Sequence, residues 1–212
     1  MQDYYAARAA EYDKVYAKSE RQADLRQIEQ WLPSVLAGRS VLEVACGTGY
    51  WTQFFAPCCA RVVAVDSAPE TIQVARSRVP PGKVEFVVGD AYSLPAQPEP
   101  LGAGFAGFWW SHVPRARVSE FLRGFHAALV PGAPVVLLDN RFVPGSSTPI
   151  AEQDAEGNTY QIRLLSDGTP HRVLKNFPSK QELLAAVSPF ATRLRYHEWE
   201  YYWALEYAAA AP

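Results

Sequence analysis

Apolar positions along the chain recur with two periods. Between residues 21 and 36, Leu25, Ile28, Leu32 and Val35 share one helical face, and Gly38 follows as a stop. From residue 40 onward, short apolar runs alternate with helical stretches. Residues 40–45, 61–65, 84–88, 103–110 and 135–138 read as five strands. The first intervening helix starts after Gly49 and stops near Pro57. The second spans about 69–78 and buries Ile72, Ala75 and Val79. A third begins after Pro114, carries Val118, Phe121, Leu122, Phe125 and Leu129 on one face, and breaks at Pro131-Gly132. Buried strands separated by helices imply a parallel sheet covered on both faces.

The two ends follow other patterns. Residues 3–18 are polar, with Tyr5, Ala9, Tyr12 and Tyr16 at helical spacing, which predicts an N-terminal helix. Residues 141–159 read as a polar loop, and 160–165 with 172–174 flank Asp167-Gly168 as a hairpin. Ser179-Lys180-Gln181-Glu182 has the form of a capping box and predicts a short helix. Residues 192–198 and 200–207 are rich in β-formers and predict an antiparallel pair at the sheet edge. The tail 208–212 is expected to fray. At 212 residues the chain reads as one domain: helices or a lid over 1–37, a core over 38–140, an inserted segment over 141–178, and a C-terminal helix with strands over 179–212.

Composition narrows the function. Hydrophobic residues make up 49% and charged residues 20%, ordinary for a globular core. A net charge of −2 gives no basic surplus for nucleic acid or an anionic membrane. No apolar run approaches the ~18 residues a spanning helix needs, and the N-terminus does not read as a signal peptide. Cys46, Cys58 and Cys59 form neither a disulfide framework nor a metal-ligand pattern, so no metal is expected and reduced thiols in the cytoplasm fit best.

The chemistry gathers at strand ends. Val41-Leu42-Glu43-Val44-Ala45-Cys46-Gly47-Thr48-Gly49 is a strand running into a glycine turn and then a helix. Such a turn brings backbone close to a ligand, and the helix start offers unpaired N–H groups. A dinucleotide site adds a third glycine for pyrophosphate binding and close packing. Here the turn continues as Tyr50-Trp51-Thr52, which fits a ligand with no pyrophosphate. Asp66 closes the second strand, where a carboxylate can accept both hydroxyls of a ribose; its alternative role is capping the helix ahead of Pro69. Asp90 closes the third strand in Gly89-Asp90-Ala91, where an acidic group can take an adenine amino group or simply shape a turn.

Together these residues resemble the class I methyltransferases that use S-adenosylmethionine (SAM). The matching stretches are 43–49, 62–66, 87–91, and Leu129-Val130-Pro131-Gly132 before 135–138, in the family's order. The resemblance implies an α/β, Rossmann-like, doubly wound sheet of seven strands, order 3-2-1-4-5-7-6, with the seventh antiparallel. It implies SAM as cofactor and S-adenosylhomocysteine as product. Glu43, Gly47 and Gly49 would line the methionine end, Asp66 the ribose, and Asp90 with Ala91 the adenine, with Ala45 and Ser67 as further cofactor-binding residues. Related enzymes often fold an N-terminal segment over the site, which would bring in Tyr5 and Arg8, although an amphipathic helix packed on the sheet edge fits the same spacing. The Asn/Asp-Pro-Pro-Tyr signature of many amino-group methyltransferases is absent; Trp109-Trp110-Ser111-His112 stands there instead. The acidic residue often found at the start of strand four is missing too.

On the acceptor side, methyl transfer from a sulfonium needs alignment, and a base only if the acceptor carries a proton. His112, at the carboxyl end of a central strand, is the candidate base; a turn histidine before Pro114 is the alternative. Trp109 and Trp110 would alternate across the strand, so that one touches adenine or acceptor while the other packs under a helix; Trp109 is the candidate at the cofactor and Trp110 at the acceptor. His126 should be solvated, and His171 and His197 structural or at the rim. The inserted segment and the N-terminal helix should cover the acceptor, with Tyr4, Phe142, Tyr160 and Arg163 as lining residues. These expectations describe an enzyme methylating oxygen, nitrogen or carbon of a small molecule as a monomer or homodimer. An NAD-dependent oxidoreductase and a non-catalytic SAM-binding protein are the rival readings.

Overall fold

A computed structural model describes residues 8–210. Its main sheet has seven strands: β1 (Ser40–Val44), β2 (Arg61–Asp66), β3 (Val84–Val88), β4 (Ala103–Gly107), β5 (Pro134–Asn140), β9 (Ala191–Glu198) and β10 (Tyr202–Ala209). Their order is β3-β2-β1-β4-β5-β10-β9. The first five are parallel, and β10 runs antiparallel to both β5 and β9. The order and the single reversed strand match the family topology. Three further strands, β6 (Glu152–Gln153), β7 (Thr159–Leu164) and β8 (Pro170–Leu174), form a small separate antiparallel sheet.

Strand alternation sorts side chains to two faces. On one face Val41, Val62, Ala64 and Phe105 meet Leu25, Ile28, Leu32 and Leu36 of α1 (Gln22–Leu36), Phe55 of α2 (Thr52–Phe55), and Ile72 and Ala75 of α3 (Pro69–Arg78). On the other, Leu42, Val44, Val63 and Ala106 meet Phe121, Leu122 and Phe125 of α4 (Val118–Ala127), and Leu183 and Val187 of α5 (Lys180–Val187). The capping box at α5 is formed: Glu182 N donates to Ser179 Oγ at 3.2 Å, and Ser179 N donates to Glu182 Oε2 at 2.7 Å.

Several sequence expectations are corrected. β4 ends at Gly107, because Phe108 adopts a left-handed backbone (φ 57°) and the chain turns into a 3-10 helix, Trp110–His112. The two tryptophans therefore do not straddle the sheet, and both pack on the α4 side. β5 runs on to Asp139 and Asn140, which pair with Trp203 and Tyr202. The tail is held as far as Ala209 by pairing with β9 and by Ala209 N donating to Ala133 O at 2.9 Å. His126 is half-buried, not solvated: its Nε2 lies 2.8 Å from the Tyr207 hydroxyl, and burial lowers its pKa to about 4. The stretch read as a loop contains β6. Of the predicted first helix, the described part is a 3-10 helix, Ala9–Tyr16. Tyr4 and Tyr5 lie outside the described residues. No described helix is long and apolar enough to cross a membrane.

Candidate active site

The first cavity, about 270 Å³, opens at the carboxyl ends of β1 to β4. The turn after β1 makes room for it. Ala45 and Gly47 both have positive φ (57° and 54°), a region costly for residues with a Cβ. A Cβ built on Gly47 would meet nothing within 4 Å, so the backbone there faces open space. Gly49 serves packing instead: a Cβ there would stand 2.9 Å from Ala75 Cβ of α3.

Ala45, Gly47, Asp66, Ser67, Asp90, Ala91 and Trp109 all line this cavity. Asp66 is held from two sides. Oδ2 accepts from Gly47 N at 2.8 Å, and Oδ1 accepts from Ala68 N at 2.9 Å and Thr71 Oγ1 at 3.2 Å. These bonds tie Asp66 to the turns on both sides of it, while the helix that follows is N-capped at Ala68 without a side-chain cap. Burial raises its pKa, and these bonds oppose the rise. Asp90 Oδ1 accepts from Tyr92 N at 3.0 Å. Tyr92 and Trp109 make an edge-to-face aromatic wall with ring centroids 6.0 Å apart, and the Arg117 guanidinium lies 3.5 Å above the Tyr92 ring.

Glu43 and Gly49 do not line the cavity. Glu43 shares the strand face of Val41, is 2% exposed, and bonds Thr52 Oγ1 at 2.7 Å. Burial pushes its pKa up to about 8, so it is protonated at neutral pH. Arg8 lines the neighbouring cavity instead.

That second cavity, about 330 Å³, is walled by the N-terminal segment, the sheet edge and the inserted sheet. Phe108 and His112 line both cavities. His112 is 5% exposed, and its Nδ1 lies 2.6 Å from Leu174 O. A carbonyl only accepts, so Nδ1 carries the proton and Nε2 the lone pair. Burial, then the Lys175 and Arg163 charges, push its pKa well below the usual value and keep it neutral.

Beneath it lies a buried ion pair that residue-by-residue reading missed. Lys175 Nζ donates to Asp139 Oδ1 at 3.0 Å and to Ser111 Oγ at 2.6 Å. Asp139 Oδ2 accepts from Ser111 N at 2.9 Å. Burial opposes the Asp139 charge, yet Lys175 and backbone N–H groups hold its pKa below the usual carboxylate value. Burial lowers Lys175 to about 8, which leaves it charged at neutral pH.

Of the acceptor residues expected from sequence, Arg163 lines this cavity; Trp110, Phe142 and Tyr160 do not. Trp110 is buried edge-on to Trp203, with ring centroids 6.3 Å apart. Phe142 packs on Phe177 at the surface. Tyr160 is drawn away by Asp154, whose Oδ2 accepts its hydroxyl at 2.9 Å, and by Arg172 over its ring. Arg21, Asn140 and Lys175 take their places. The polar pair Lys175-Asn176 after the strand Pro170–Leu174 was the one local hint.

Comparison with known proteins agrees with this geometry. A methyltransferase-domain family model matches residues 41–132, the span that builds the first cavity. The chain belongs to the class I SAM-dependent methyltransferases. The chain is 33% identical over 153 residues to a ubiquinone biosynthesis O-methyltransferase of Xanthomonas euvesicatoria, covering 71% of this chain and 61% of that one. It is 48% identical over 62 residues to a magnesium-protoporphyrin O-methyltransferase of Rhodobacter capsulatus, covering 28% of each. The chain thus spans less than two thirds of the length of these curated relatives. Among solved structures, DhpI with S-adenosylhomocysteine superposes with a TM-score of 0.80 at 27% identity, covering 100% of this chain and 96% of DhpI. The PH0226 protein of Pyrococcus horikoshii has a TM-score of 0.73 at 19% identity, covering 91% and 92%, and shares the fold.

Proposed function

We propose that this chain transfers the methyl group of SAM to an oxygen atom of a small-molecule acceptor. The observation that carries the reading is the junction of two cavities at Phe108 and His112. One cavity has the fittings for an adenosine: carboxylates on successive strand ends, an aromatic wall, and a glycine with an open face. The other is of small-molecule size. DhpI, whose fold this chain shares over its whole length, is solved with SAM and HEP as well as with S-adenosylhomocysteine. Two relatives bear O-methyltransferase names.

SAM, when bound, supplies a methyl carbon on a sulfonium sulfur. Asp66 and Asp90 would hold its ribose and adenine, and Gly47 would admit the chain close to them. With the methyl group supplied by SAM, His112 Nε2 would take the proton that the acceptor hydroxyl gives up. A neutral imidazole is the form that can accept that proton, and burial beside two cations maintains it. Lys175 and Asp139 position the wall on which His112 rests.

Calorimetry with SAM and S-adenosylhomocysteine tests the first half of the reading; absence of binding would overturn it. For the second half, His112→Ala should lower turnover about 10²- to 10⁴-fold with cofactor affinity nearly unchanged. A loss of only a few-fold would leave His112 a packing residue.

A further inference from the structure

The second cavity has one sign of charge. Arg8, Lys14, Lys18, Arg21, Arg163 and Lys175 line it, and no aspartate or glutamate does among the described residues. Lys175 is neutralised by Asp139 from beneath, and Lys18 donates to Ser146 O. Arg21 differs from both. It is 6% exposed and makes no ion pair with a described carboxylate: its guanidinium donates to Asn140 Oδ1 at 3.0 Å and to Ser146 Oγ and O at 3.0 and 3.3 Å, and lies over the Tyr201 and Tyr202 rings. Glu20 feels the Arg21 charge and accepts from the same Ser146 Oγ at 2.8 Å, but it forms no ion pair with Arg21 and does not line the cavity. Arg163 likewise donates only to Gln161 Oε1, at 2.7 and 3.1 Å.

Two guanidinium groups therefore border one small cavity with no carboxylate in salt-bridge contact among the described residues. Arg21 is buried and Arg163 half-buried; taking charge out of water, as at Arg21, is costly unless an opposite charge arrives, and a guanidinium presents the paired donors that suit a carboxylate or phosphate. Both Arg21 and Arg163 also act on the Lys175 ammonium, which depresses its pKa further after burial, so their fields overlap.

Resting on the methyl-transfer reading above, we propose that the acceptor is a small organic oxyanion whose charged group binds between Arg21 and Arg163. Carboxylate and phosphate-type groups share the required chemistry. The remaining wall, with Phe108, Phe177, Ile162 and Tyr202, would take an apolar body.

The test uses the full chain saturated with S-adenosylhomocysteine. Inorganic phosphate, sulfate and acetate are titrated in turn at constant ionic strength, with binding read by calorimetry. At least one should bind, tetrahedral anions over acetate if the group is phosphate-like and the reverse if it is a carboxylate. Arg163→Gln should weaken that binding about 10- to 100-fold, the worth of a charged hydrogen bond, with cofactor affinity unchanged. Arg195→Gln, on an exposed strand, should leave it intact. Failure of all three anions to bind at 10-fold molar excess over millimolar protein, on the order of 10 mM, or equal binding by wild type and Arg163→Gln, would overturn the proposal. If phosphate binds in an Arg163-dependent way while S-adenosylhomocysteine does not bind at all, the anion site stands and the methyl-transfer reading falls.

Discussion

Replacing Lys175 by methionine isolates the buried pair under the candidate site. Both partners are almost fully buried, at 5% and 0% side-chain exposure, 3.0 Å apart. Removing one member of such a pair costs about 3–5 kcal/mol, because the other charge stays desolvated. Asp139 retains N–H donors from Ser111 and Asn140, at 2.9 and 2.7 Å, so the low end, about 3 kcal/mol, is expected. For a chain of this size that corresponds to a fall of about 6–12 °C in Tm. Urea denaturation measures the same loss directly. Asp139→Asn keeps an acceptor for Ser111 N but removes the charge, so the double variant Lys175→Met/Asp139→Asn should recover a large part of the loss. His112 gives an independent signal. Its pKa is depressed first by burial and then by the Lys175 ammonium, so it should rise in Lys175→Met, as followed by NMR titration. A loss under about 1 kcal/mol, the size of a surface ion pair, with no recovery in the double variant, would show that the pair is not buried in the way described.

Asp66→Ala should weaken binding of S-adenosylhomocysteine by about 1.5–3 kcal/mol in calorimetry, since Asp66 lines the cavity between Gly47 and Ser67; unchanged affinity would remove it from the ligand. Gly49→Ala should destabilise by about 1–3 kcal/mol in thermal unfolding, because its Cβ would overlap Ala75 and its φ of 72° is strained for alanine. Glu43 has a folded pKa raised to about 8 by burial, so between about pH 4.3 and 8 the unfolded chain has lost a proton that the folded chain keeps. Its contribution is full below that window and is lost as pH rises through it, by at most ~1.4 kcal/mol per pH unit. Glu43→Gln should flatten this part of the stability–pH curve, and an unchanged slope would argue that Glu43 is ionised when folded.

How much was legible in sequence depended on the distance over which contacts form. The helix Pro69–Arg78 and the strand Val84–Val88 were read to the residue, because periodicity and flanking turns are local signals. That Asp66 and Asp90 line the first cavity was legible for the same reason: each follows the end of an apolar run. Glu43 was misplaced because adjacency to the glycine turn says nothing about which strand face a side chain takes. The acceptor cavity was mostly illegible. Arg21 reaches Asn140 and Ser146, and Lys175 reaches Ser111 and Asp139, contacts spanning 36 to 125 positions that no local period encodes. Trp110 and Tyr160 were sensible acceptor residues by type, and were claimed by Trp203 and Asp154, partners visible only in the fold.

The inserted sheet is joined to the core differently from a hinged cover. Its last strand ends against the turn that carries His112: Leu174 O faces His112 Nδ1, Lys175 bonds Ser111 Oγ, Asn176 N donates to Ser111 O at 2.8 Å, and Asn176 Nδ2 donates to Val113 O at 3.1 Å. Four consecutive contacts on three consecutive residues make this junction a continuous seam. Arg115 adds to it, its N donating to Asn158 Oδ1 at 2.8 Å and its Nε to Gly157 O at 2.9 Å, and the ties to the N-terminal segment are of another kind. Lys18 and Arg21 meet the insertion only at Ser146, through side chains that cross from the N-terminal segment. Opening along the seam would break a buried ion pair and uncover the imidazole together, whereas parting at Ser146 costs only a few polar contacts that water can replace. The seam is therefore the fixed wall that sets the tautomer and orientation of His112. The N-terminal edge of the second cavity is the weaker of the two, since Lys18 and Arg21 cross to the insertion through Ser146 without a buried ion pair.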